Sequence, residues 1–204
     1  MIVVDIETSG LDPRKHGILE MAGLKFENPD VFFHSYCGLD KEDEIDSKAL
    51  EINGFTEEET RDLSRPTQKK ALDKFFKWIE ERKDFYAAGE NVGSFDLNFI
   101  KVKADKYGLI FPFQYRSYDL NTAAVCKYER IYCKLPIVDG KIKVGLPQIL
   151  ELVGMKDERG KHEVLEDCRL EAECISRLRH GRGLFLEYSK FKIPDYLLKN
   201  DNLQ

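Results

Sequence analysis

Asp5 and Glu7 stand two residues apart in an apolar run, Ile2-Val3-Val4-Asp5-Ile6-Glu7. Residues 2–6 read as a buried strand, and strand side chains alternate faces, so both carboxylates project from one face. Two like charges beside a core are costly unless a cation neutralises them. The alternative is a strand end where both acids turn to solvent. Asp96 follows Gly89-Glu90-Asn91-Val92-Gly93-Ser94-Phe95 and falls in the first turn of a helix, where a carboxylate also simply complements the helix dipole. The third cluster is His162-Glu163-Val164-Leu165-Glu166-Asp167. Positions five apart on a helix point about 140° apart. His162 and Asp167 therefore serve one site only if His162 lies at or before the helix start, on a loop that Gly160 and Lys161 suit; otherwise His162 is a surface histidine. Glu163, Glu166 and Glu171 read as a solvated face of that helix. Several acids and one histidine suit a hard divalent cation, Mg²⁺ or Mn²⁺, rather than zinc. A histidine, with an ordinary pKa of about 6.5, suits a general base.

These side chains need a scaffold. Residues 18–27 and 31–37 read as two more strands, and the short link Asn28-Pro29-Asp30 favours an antiparallel hairpin. Residues 40–46 read as a solvated acidic loop, and Asn53-Gly54 as a turn. A helix fits residues 66–82, with Pro66 in its first turn and Ala71, Leu72, Phe75, Phe76 and Ile79 as its core stripe. A short strand over 85–89 leads into a helix over about 94–107 that Gly108 ends, and 115–119 can form one more strand. Within residues 131–144, Asp139-Gly140 between β-formers marks a hairpin. A short helix over about 146–153 and a long one running to about 179 complete the domain. Strands first, then strands mixed with helices, predict an α/β domain with a mixed sheet flanked by helices.

The bulk properties set limits. The 204 residues suffice for one domain, and 42% hydrophobic with 34% charged residues is ordinary for a soluble globular protein. The apolar opening Met1-Ile2-Val3-Val4 runs straight into Asp5, too short for a signal peptide or a membrane span, so the expectation is a cytoplasmic protein with no membrane partner. The five cysteines are odd in number and form no C-x-x-C pair, which favours reduced thiols. A net charge of −5 argues against a protein that coats a phosphate backbone and for contacts confined to a cleft, helped by bound cations.

Taken in chain order, Val4-Asp5-Ile6-Glu7-Thr8-Ser9-Gly10-Leu11, then Asn91 to Phe95-Asp96, then His162 with Asp167 five residues on, resemble the three motifs of the DEDDh (DnaQ-like) 3′–5′ exonucleases. This family includes the proofreading subunit of bacterial replicative DNA polymerase and RNase T. The resemblance extends through Ile18-Leu19-Glu20-Met21-Ala22, Ala49 to Thr56, Asp119 to Thr122 and Leu146 to Gly154. It covers about residues 1–180 as an exonuclease domain. The tail, 181–204, lies outside it and is expected to pack on the same domain or in an oligomer contact.

The resemblance implies a ribonuclease H-like fold with a five-stranded mixed sheet, its first three strands antiparallel. It implies two divalent cations, Mg²⁺ or Mn²⁺, held by Asp5, Glu7, Asp96 and Asp167. Asp5 would bridge both, Glu7 and Asp167 would complete the site of the ion that activates water, and Asp96 would support the second. His162 would be the general base, and the products nucleoside 5′-monophosphates from the 3′ end of single-stranded DNA or RNA. Thr8 would hydrogen-bond the terminal nucleotide, Leu11 would pack on its base, and Asn91 and Phe95 would shape the pocket, Phe95 being equally suited to the core. A homodimer or a polymerase partner fits the family. Two positions depart from its pattern: Glu90 and Asn53 stand where many members carry histidine. Two alternatives stay open, a catalytically silent module that binds nucleic acid or protein, and, for the basic residues Lys127, Arg130, Lys134, Lys141 and Lys143, either a guide for the strand or a lysine-protected edge hairpin.

Overall fold

Ile2, Val3, Val4 and Ile6 are all buried, which requires strand β1 (Ile2–Thr8) to be covered on both faces. The structure, a computed structural model, describes residues 1–160 and 163–198. Its elements run β1, β2 (Ile18–Lys25), β3 (Phe32–Tyr36), α1 (Ser47–Asn53), α2 (Glu57–Thr60), α3 (Gln68–Arg82), β4 (Ala87–Gly89), α4 (Asp96–Tyr107), β5 (Ser117–Asp119) and α5 (Leu120–Tyr132). A small hairpin, β6 (Ile137–Val138) and β7 (Lys141–Ile142), then precedes α6 (Leu146–Leu152), α7 (Val164–His180) and α8 (Asp195–Leu198). The five main strands form one sheet in the order β3-β2-β1-β4-β5. β1 and β3 pair antiparallel with β2, while β4 and β5 run parallel to β1 and to each other. This mixed sheet flanked by helices is the ribonuclease H-like arrangement.

The alternation of β1 assigns its acids to a face. Ile2, Val4 and Ile6 pack with Phe75, Phe76 and Ile79 of α3 and Phe99 and Ile100 of α4. Val3 packs on the opposite side, with Cys168 and Ala172 of α7 and Ile149 and Leu150 of α6. Asp5 and Glu7 share the parity of Val3, so both project toward α7.

The hairpin at Asp139-Gly140 forms as the sequence predicts, with both residues at positive φ (50° and 73°), the geometry of a type I′ turn. Other expectations need correction. Thr67, not Pro66, sets the start of α3: its side chain caps the backbone N–H of Lys70. Residues 40–46 are not simply solvated. Asp43 is buried and accepts from Lys103 Nζ at 2.9 Å and from Gln68 Nε2 at 2.6 Å, partners whose distance in sequence hides them. Helix α1 fills the stretch between the acidic loop and the Asn53-Gly54 turn, and Gly54 closes it in the left-handed conformation at φ 73°. Helix α5 has no counterpart in the sequence reading because its fully buried residues are only Leu120 and Ala124, too few for a visible stripe. Asp119 starts it by accepting from the Thr122 N–H at 2.7 Å.

Residues beyond α7 are tied down by a buried ion pair. Arg177 Nε donates to Glu173 Oε1 at 2.6 Å, Nη1 to the Val153 carbonyl and Nη2 to the Tyr188 carbonyl. Glu173 Oε2 accepts from the N–H groups of Leu184 and Phe185. Tyr196 reaches back to the Leu152 carbonyl at 2.7 Å, and Leu184, Phe185, Tyr188 and Phe191 pack on the α7 side of the core. Removing one member of such a pair strands the other without a counter-charge. Glu173→Ala should lower the unfolding free energy by roughly 3–5 kcal/mol in a urea titration. A loss below about 1 kcal/mol, the range of exposed pairs, would show that the pair does not anchor this segment.

Candidate active site

The C-terminal end of β1 meets the N-terminal ends of α4 and α7. Asp96 is the first residue of α4, and Asp167 lies in the first turn of α7. Both helices therefore direct their positive ends toward acids. Asp5, Glu7 and Asp167 each offer a carboxylate oxygen, and these oxygens lie within 4.8 Å of one another. Asp96 stands outside that trio. Its Oδ1 accepts from the backbone N–H of Ile6 at 3.1 Å, which holds it against the strand. These four acids line one cavity of about 590 Å³ with Glu90, Asn91, Ser94, Phe95, Leu146, Arg159 and Glu171.

The electrostatics follow from crowding. Burial, then the charges of Asp96, Glu171, Glu7 and Asp167, hold the Asp5 carboxyl well above the ordinary carboxylate range. Burial, Asp167 and Glu20 push Glu7 up to about 7, partly offset by a hydrogen bond from Asn53 and by the Arg159 charge. Burial also raises Asp96, although hydrogen bonds from its own N–H and that of Ile6 oppose the shift. Among the described residues, Arg159 brings a positive charge to the site: Nη1 donates to Asp167 Oδ1 at 2.8 Å, while Nε and Nη2 hold Asp157. Oxygen ligands at this spacing, with Asp5 and Glu7 raised in pKa by burial and by neighbouring carboxylates, fit a divalent cation.

The expected substrate residues have distinct surroundings. Leu11 is 78% exposed, available to pack on a ligand. Thr8 is buried, and its hydroxyl donates to the Gly10 carbonyl at 2.8 Å. Asn91 and Phe95 line the cavity. Asn91, at φ 53°, donates to Glu90 Oε1 at 2.8 Å, and the Phe95 ring packs 5.7 Å from that of Phe99. Phe95 thus joins pocket and core. His162 lies outside the described residues.

Three residues hold places at the site that the sequence did not assign to them. Glu20 is the cross-strand neighbour of Glu7 and is buried, with His34 Nε2 at 2.6 Å from Oε1; its position becomes visible once the β1–β2 register is known. Asn53 is also buried, and besides touching Glu7 it donates to the Thr8 carbonyl at 3.1 Å, steadying the end of β1. The third is Glu171. It is not part of a solvated face: it is 3% exposed and lines the cavity. Its spacing of four from Asp167 was the available signal, since such positions share a helix face. Glu163 and Glu166 are exposed, as expected.

Residues 2–175 match the RNase T family of exonucleases. The chain belongs to this family. The match agrees with the DEDDh resemblance carried by the three motifs. A DNA polymerase III of the PolC type from Thermotoga maritima is 26% identical over 177 residues, 86% of this chain. The chain spans only 12% of the length of that polymerase. Among solved structures, the nuclease domain of 3′hExo, a DEDDh family member bound to rAMP, superposes with a TM-score of 0.64 at 17% identity over 95% of each chain. Exonuclease I of E. coli, in complex with a 5cy-dT13 oligonucleotide, gives a TM-score of 0.67 at 18% identity over 88% of this chain and 41% of that one. These likenesses establish that this RNase T family member has the exonuclease fold. No helix among its described residues is long and apolar enough to cross a membrane.

The raised carboxyls have a consequence for stability. An acid whose folded pKa exceeds its unfolded value stabilises the folded state at low pH and loses that contribution as pH rises through the folded value. For Glu7 the window runs from its ordinary 4.5 to about 7. In EDTA the melting temperature should therefore fall between about pH 4.5 and pH 7, and millimolar Mn²⁺ should restore it at pH 8. A melting temperature in EDTA that stays level or climbs through that window would contradict the crowding described above.

Proposed function

We propose that this family member is a divalent-metal-dependent 3′–5′ exonuclease that hydrolyses single-stranded DNA or RNA from the 3′ end and releases nucleoside 5′-monophosphates. The observation that carries this reading is the convergence of Asp5, Glu7 and Asp167 within 4.8 Å, at a strand end where their charge needs a cation. Asp5, Glu7, Asp96 and Asp167 would hold two ions, Mg²⁺ or Mn²⁺. When bound, such ions supply Lewis-acid stabilisation of the attacking and leaving oxygens of a phosphodiester displacement.

The protein's own groups do the remaining work. Asp5 belongs to both subsets of acids, the trio with Glu7 and Asp167 and the pair with Asp96. His162, just ahead of α7, takes the proton from the attacking water. Leu11 offers an exposed apolar surface to the terminal base, and Phe95 and Asn91 form the wall of the cavity. Glu90 accepts from Asn121 Nδ2 at 3.2 Å, and Asn121 also donates to the Val144 carbonyl. That bridge joins the cavity wall to the stem of the β6–β7 hairpin, so Lys141 and Lys143 are suited to guide an incoming strand. The solved relatives carry rAMP in one case and a deoxyoligonucleotide in the other, which supports a single-stranded substrate of either sugar. Likeness to a PolC-type polymerase supports service beside a polymerase.

Digestion of 3′-labelled single-stranded DNA and RNA with Mg²⁺, Mn²⁺ or EDTA tests the reading. Wild type should release labelled mononucleotide only with metal; its failure to do so on both substrates would leave a silent binding module as the better description. His162→Ala should lose roughly 10²- to 10⁴-fold in turnover while still binding Mn²⁺. Near-wild-type turnover at neutral pH would remove the general-base assignment. Asp5→Ala should weaken Mn²⁺ binding itself.

A separate measurement addresses the hairpin. Lys141→Ala with Lys143→Ala should raise KM about 3- to 10-fold with little change in kcat, the signature of lost uniform binding. An unchanged KM would make the hairpin a protected edge rather than a guide.

A further inference from the structure

Glu171 follows Asp167 by one helical turn, so the two side chains leave α7 on the same face. Both are buried, at 3% and 4% exposure, and both line the cavity with Asp5 and Asp96. One Glu171 oxygen, Oε1, accepts from the backbone N–H of Glu90 at 3.1 Å. The other, Oε2, is buried without a hydrogen-bond partner among the described residues. A buried carboxylate oxygen without a donor is costly, and a native fold keeps one only where something else satisfies it.

The surroundings identify what that is. Gly89 leaves room for this oxygen: a Cβ there would stand 3.1 Å from Glu171 Oε2 and 2.8 Å from the Val4 carbonyl. Glu171 is therefore pressed against the junction of β4 and β1, beside Asp5. Asp96 and Glu171 stand outside the closely spaced trio of Asp5, Glu7 and Asp167. Each is fixed by a backbone N–H, that of Ile6 for Asp96 and that of Glu90 for Glu171, and both line the cavity with Asp5. A neutral hydroxyl donor could satisfy Oε2 too, but no side chain of the described cavity provides one there.

We propose that Glu171 is a fifth carboxylate of the metal centre, serving the cation held on the Asp5–Asp96 side. The proposal rests on the metal-dependent reading above and adds to it a ligand that none of the three motifs contains. It predicts that the second ion binds without nucleic acid, because the protein itself provides three acids for it.

Calorimetric titration of the full chain with Mn²⁺, without nucleic acid, tests this. Wild type should take up two ions. Glu171→Gln should keep the tighter ion and bind the weaker one 10- to 100-fold less well, the usual effect of disturbing a metal's supporting groups. Glu171→Asp, which retains the carboxylate, should recover part of the loss. Thermal melts in EDTA check folding, and Glu171→Gln should melt no lower than wild type, since it removes a buried charge from a crowded site. Equal Mn²⁺ binding by wild type and Glu171→Gln would overturn the proposal and leave the metal-dependent reading intact. Equal loss in Glu171→Gln and Glu171→Asp would also overturn it, as the mark of a packing role. Absence of any Mn²⁺ binding by wild type would sink both.

Discussion

Asp5, Glu7, Asp96, Asp167 and Glu171 share one end of the central strand, where burial and neighbouring negative charge make Asp5, Glu7, Asp96 and Glu171 harder to ionise. Much of the architecture around that end offsets this repulsion. Backbone N–H groups of Ile6 and Glu90 donate into it, two helices start there, and Arg159 covers Asp167. None of these contacts removes the charge crowding, which is why a divalent cation is the natural remaining partner. Sites of this kind hold local stability below what an apolar filling of the same space would give. The rest of the fold compensates with two aliphatic and aromatic cores, one on each side of the sheet.

The two cores also explain how the acids come to be aligned. β1 must be apolar on both faces to be central, yet its last residues emerge where the sheet ends and the helices begin. Asp5 and Glu7 interrupt only the face that α7 covers, and α7 answers with Asp167 and Glu171 at helical spacing. The β1–β2 register adds Glu20 behind Glu7, so the repulsion reaches across the strand pair. A substitution at Glu20 or Asn53 therefore acts on Glu7 without facing the cavity's other acids.

Where side chains repeat along one element, the sequence was readable. The shared face of Asp5 and Glu7, the stripe of α3, the turn at Asp139-Gly140 and the ends of α4 and α7 all follow from local periodicity or turn chemistry. The mixed sheet followed from the order of strands and helices rather than from any single strand, since β4 and β5 have only three residues each. What stayed hidden depends on tertiary partners. Asp43 looks like a solvated acid until Lys103 of α4 is brought to it, and α5 carries too few buried residues to announce itself. Glu171 illustrates the limit best: its spacing from Asp167 was in plain view, but an acidic helix with Glu163 and Glu166 exposed gives no local sign that the next acid turns inward.

The chain's overall charge gives this crowding a role in recognition. With a net charge of −5 and six acids around one cavity, the uncompensated site repels a phosphodiester, and only local positive charge opposes that. Arg159 is already engaged by Asp157 and Asp167, and Lys141 and Lys143 lie on the hairpin, away from the acids that line the cavity. On the metal-dependent reading proposed above, bound cations would supply the attraction that seats a phosphate beside Asp5. Strand binding and cation binding would then be thermodynamically linked, each strengthening the other by the same factor. A nuclease built this way would carry little standing affinity for nucleic acid at large, concentrated at the one place where a cation and a strand end can meet.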